Sequence, residues 1–69
     1  MNTEVSLTET VESFYQYSVD VGVNAGETVE AARRSARRNV RDAFGHDEDP
    51  RLLTDIMNNY EMANEGGSR

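Results

Sequence analysis

Between Val29 and Phe44 the apolar residues Val29, Ala32, Ala36, Val40, Ala43 and Phe44 recur every three or four positions, the repeat of one face of an α-helix. No other stretch is patterned so firmly, so the rest of the chain has to be arranged around it. The face is narrow and mostly alanine and valine, and such a helix needs neighbours to make a core. Asn24 followed by Glu27 reads as a capping box, and Glu27 and Glu30 suit the positive end of the helix dipole. Gly45 reads as a left-handed stop. Together these signals predict a helix over about residues 25–44.

A further helix is predicted over about residues 50–63. Asp49 stands where a cap belongs, Pro50 takes the first helical position, and Leu53, Ile56, Met57, Tyr60 and Ala63 form the apolar stripe. The acidic run His46-Asp47-Glu48-Asp49 joins the two helices, and residues 65–69 read as a frayed tail.

Upstream the period changes. Tyr15, Tyr17, Val19, Val21 and Val23 alternate with Gln16, Ser18, Asp20 and Gly22, the pattern of a strand with one buried face. Tyrosine and valine also favour strands. A strand is therefore expected over about residues 15–23, preceded by an N-terminal arm over 1–13. The competing helix runs through Leu7, Val11, Phe14, Ser18 and Val21 with Ser6 and Glu9 as its capping box. It has to absorb a segment, 1–24, without alanine and with many β-branched residues.

The expected fold class is thus α+β: one small domain over 14–64, ordered strand, helix, helix, with an all-α three-helix domain as the alternative. A lone strand leaves its ladder groups unsatisfied, so the arm or a second subunit has to complete the sheet. Tyr15, Tyr17, Val19 and Val21 are the expected self-association face.

Size points the same way. A chain of 69 residues is one domain with a thin core, and domains this small usually add disulfides, a metal or a partner. With no cysteine and a single histidine, neither disulfides nor a thiolate or histidine-rich metal site is available. A homodimer is the expected remedy. No apolar run approaches the roughly 20 residues of a membrane span, and no signal pattern opens the chain. The sequence reads as cytoplasmic or virus-associated.

The strand-helix-helix order resembles, in architecture, the ribbon-helix-helix regulators, whose paired strands read DNA with their outward side chains. Here those positions are Gln16, Ser18 and Asp20. An aspartate facing phosphates, with no arginine or lysine beside it, argues against reading DNA in this manner.

The net charge is −6, yet there is no lysine and five of the seven arginines lie between residues 33 and 41. Acid-rich, lysine-free composition resembles that of proteins from salt-loving archaea and their viruses; high net charge maintains solubility but strains the compact state. On a helical wheel Arg33, Arg34, Arg37, Arg38 and Arg41 sweep one arc of about 140° beside the apolar stripe. Glu30 is within helical reach of Arg33 and Arg34, Asp42 of Arg38, and Asp55 or Glu61 of the next helix are further candidates for pairing.

The leading expectation is a non-enzymatic interaction or regulatory protein that self-associates and uses this helix for assembly or for an acidic partner. The alternative is a nucleic-acid-binding transcriptional regulator using the same five arginines. No metal site is expected at His46, because consecutive loop residues seldom converge on one ion. The serines lack the setting of a nucleophile. No cofactor or small-molecule substrate is indicated.

Overall fold

Ser6 marks where the first helix begins. Its hydroxyl accepts a hydrogen bond from the Glu9 backbone amide at 3.1 Å, and helix α1 (Leu7–Asn24) runs on from that cap. The computed structural model describes residues 6–67, and over them α1 is followed by α2 (Val29–Phe44) and α3 (Pro50–Gly67).

The fold is therefore an all-α three-helix domain, which corrects the expected α+β class and the strand over 15–23. On a helix, Val11, Tyr15 and Val19 are spaced by four and share one buried face. Tyr17 and Val21 lie on the opposite side, 67% and 49% exposed. The alternation came from a helix that carries apolar residues on both sides, not from a pleat. The arm expected over 1–13 is helical from Leu7, and its residues 1–5 lie outside the described residues. Of the expected tail over 65–69, α3 continues through Gly67, and residues 68–69 lie outside the described residues.

The α1–α2 turn is built on Gly26, whose φ of +102° is open to glycine and strained for other residues. The Ala25 and Glu27 amides donate back to the carbonyls of Val21 and Gly22, closing the end of α1. Thr28, rather than the expected Asn24, caps α2: its hydroxyl accepts from the Ala31 amide at 3.1 Å. Gly45 ends α2 with a right-handed φ of −67°, not the expected left-handed one, and its amide donates to Arg41 at 2.8 Å. At α3, Asp49 caps as expected, its carboxylate accepting from the Arg51 amide at 2.9 Å.

The core joins Val11, Tyr15 and Val19 of α1 to Ala32, Ala36 and Val40 of α2 and to Leu53, Ile56 and Met57 of α3. Small residues let α1 and α2 approach closely: a Cβ placed on Gly22 would lie 2.9 Å from that of Ala32. Toward the other end of this pair, Phe14 and Phe44 meet edge to face with ring centres 5.6 Å apart. Tyr15 and Tyr60 form a second edge-to-face pair at 5.8 Å, an arrangement the ring quadrupole favours.

Candidate interaction surface

The five arginines of α2 divide into two groups. Arg33 and Arg37 flank the buried face of Ala32, Ala36 and Val40 and are half-buried, while Arg34, Arg38 and Arg41 stand on the back of the helix and are exposed. Side chains at 34, 38 and 41 share one side because their spacings of four and three nearly complete two turns.

Arg37 is part of the fold. Its Nη2 donates to Glu61 Oε1 at 2.8 Å and to Asn58 Oδ1 at 2.7 Å, tying α2 to α3. The other Glu61 oxygen accepts from the Tyr15 hydroxyl of α1, so one carboxylate joins all three helices. Burial alone would raise the Glu61 pKa, but hydrogen bonds from Arg37 and Tyr15 outweigh it and hold the carboxyl below the usual glutamate range. The same bond to Glu61 raises the Arg37 pKa. Burial, reinforced by Glu61, pushes the Tyr15 hydroxyl well above the ordinary tyrosine range. Beside this cluster, the Tyr60 hydroxyl donates to Gln16 Oε1 at 2.8 Å, and Gln16 Nε2 donates to Asp20 Oδ1 at 2.9 Å.

The exposed row is different. Among the described residues, the side chains of Arg34, Arg38 and Arg41 make no hydrogen bond or ion pair. Neither Glu30 nor Asp42 closes the helical pairs that their spacing permits. Arg34 and Arg41 are seven positions apart, so the row is about 10.5 Å long.

Two surface grooves adjoin α1. One, of about 470 Å³, has Val19, Val23 and Val29 as its apolar lining and Tyr15, Arg33 and Glu61 among its polar groups. The other, of about 450 Å³, runs along the seam of α1 and α3 and is lined by Glu12, Ser13, Gln16, Tyr17, Asp20 and Tyr60. The four residues expected to form a self-association face are thus separated: Tyr15 and Val19 are buried in this chain's own core, and only Tyr17 and Val21 face outward.

The spacing of the arginines marked their shared helix and the sequence named Glu61 as a partner, but the convergence of Tyr15 and Arg37 on that residue had no sequence signal. Among the described residues no three His, Asp or Glu side chains are grouped to hold a metal ion, and no helix is long and apolar enough to cross a membrane. Compared with protein-family models, curated proteins and solved structures, the chain has no match.

Proposed function

We propose that this protein is a non-enzymatic interaction module that presents Arg34, Arg38 and Arg41 to an acidic protein surface. The observation that carries the reading is the division of the arginine cluster. Arg37 is held by Glu61 and Asn58, whereas three guanidinium groups are aligned, exposed and without a partner among the described residues. Arginine in such a row can grip carboxylates with two parallel hydrogen bonds.

A carboxylate-bearing partner suits the row better than a duplex. Glu30 and Asp42 lie on the same helix at its two ends, so the phosphates of a duplex running on past the row of about 10.5 Å would meet them, whereas a partner whose carboxylates match the length of the row would not. Three phosphate contacts would also supply a salt slope of only about −2.7 in log affinity against log salt.

Fluorescence anisotropy with a labelled glutamate-rich peptide and a labelled DNA duplex tests the assignment. The peptide should bind, and Arg34→Ala with Arg38→Ala should weaken it about tenfold or more, with helix content unchanged because alanine suits a helix. Arginine-dependent binding of the duplex without the peptide would make the protein a nucleic-acid regulator instead. Binding of neither probe would overturn the proposal.

A further inference from the structure

The acidic surface that fits the exposed row is present on the same chain. Glu12, Ser13, Gln16, Tyr17, Asp20 and Tyr60 line the groove on the α1–α3 seam, with two carboxylates, two tyrosine rings and no basic residue. Asp20 is positioned through Gln16, which Tyr60 holds in turn. The Glu12 side chain has no hydrogen bond or ion pair among the described residues. A guanidinium entering such a groove gains carboxylate contacts and lies against aromatic faces, both of which favour arginine.

The dimensions agree. Glu12 and Asp20 are eight residues apart on α1, about 12 Å, and Arg34 and Arg41 are about 10.5 Å apart on α2. The directions exclude a contact within one chain. Ala32, Ala36 and Val40 turn the inner side of α2 toward α1 and α3, which puts the arginine row on its back. No residue of α2 lines the groove, which belongs to the α1–α3 side of the bundle.

We infer that the occupant of this groove is the arginine row of a second copy of the chain, so that copies join head to tail. The inference rests on the proposed role of the row and names its partner. Because row and groove face away from each other, each copy has one of each to offer, and such a contact closes into a ring or continues as an open chain. It does not form the strand-paired dimer that the sequence suggested.

Sedimentation velocity on the full chain over a concentration series is the test. The wild type should grow past a dimer as concentration rises. Arg34→Ala with Arg38→Ala should weaken association about tenfold or more, and so should Glu12→Gln with Asp20→Asn. Circular dichroism checks that both variants keep their helices. Mixing the two is the decisive arm: the intact groove of the first accepts the intact row of the second, and assembly stops at a one-to-one pair.

A wild type that stays monomeric to about 1 mM, a concentration at which even −4.1 kcal/mol would register, overturns the inference. So does association untouched by the groove substitutions. If that monomer still binds the glutamate-rich peptide through its arginines, the groove assignment alone has failed. If it binds neither, the proposed function has failed with it.

Discussion

Replacing Gly22 with alanine should destabilise the protein, although alanine is the better helix former by about 1 kcal/mol. The new Cβ would lie 2.7 Å from Glu27 Oε1, 2.9 Å from the Ala32 Cβ and 3.4 Å from the Ala32 Cα. The first contact is the end of an exposed, flexible side chain and can swing aside. The second is a fully buried methyl fixed to the α2 backbone. Carbon atoms settle at about 3.5–4.0 Å, so α1 and α2 must part by about 0.6–1 Å. Overpacking of this kind costs about 1–3 kcal/mol. Subtracting the helical gain leaves a net loss of about 1 kcal/mol, or a midpoint lowered by about 4–8 °C in a domain of this size. Thermal and urea unfolding followed by far-UV circular dichroism measure it. The double variant with Ala32→Gly supplies the control, because removing the opposing methyl restores the room. Its loss should be smaller than the sum of the two single losses by at least about 0.5 kcal/mol. A Gly22→Ala protein that gains stability, or a pair whose effects add, would refute the close-approach argument.

Three further expectations follow from the same structure. Because Glu61 stays ionised more readily in the folded chain, the unfolded chain takes up its proton first, and stability should decline as pH falls below about 4.3; Glu61→Gln should lessen this decline and cost about 1 kcal/mol at neutral pH, which urea midpoints against pH would show. At the alkaline end the folded chain retains the Tyr15 proton that the unfolded chain loses, so stability should fall above about pH 10, and a Tyr15→Phe protein with an undiminished loss there would contradict the assignment. Leu53→Ala empties a fully buried site and should lower unfolding stability by about 2–5 kcal/mol. Finally, we propose that the lysine-free, −6 composition reflects a salt-rich setting; thermal midpoints should then rise with added salt as self-repulsion is screened, and a flat profile would count against it.

Parts of this architecture were legible because their residues answer to one requirement at a time. In α2 the stripe of Ala32, Ala36 and Val40 is buried as its spacing implies, and in α3 Asp49, Pro50, Leu53, Ile56 and Met57 take the positions their types suggest. In α1 two patterns overlap. Val11, Tyr15 and Val19 serve the core at helical spacing, while the exposed Tyr17, Val21 and Val23 fill alternate positions and imitate a pleat. The Ser6-Glu9 cap favours the helix, but β-branched residues and the absence of alanine over residues 1–24 favour a strand. The candidate surface was legible in part: wheel geometry places all five arginines on one arc, but only packing against α3 separates Arg37 from the exposed row. The contacts of Tyr15 with Glu61 and of Tyr60 with Gln16 bridge 46 and 44 residues of sequence, and no local spacing records them.

Those two hydrogen bonds run in opposite directions: α1 donates through Tyr15 and accepts through Gln16, and α3 donates through Tyr60 and accepts through Glu61. Apolar packing is non-directional, so a helix held by leucine, isoleucine and methionine alone can slip along its neighbour by a turn, about 5.4 Å, and find a comparable fit. A slip of that size in this protein would break both bonds at once and leave the Glu61 carboxylate without Tyr15. Loss of uniqueness commonly precedes loss of stability when a core is loosely specified. The reciprocal pair ties α3 to one alignment against α1, and a core this thin depends on that tie to present a single surface.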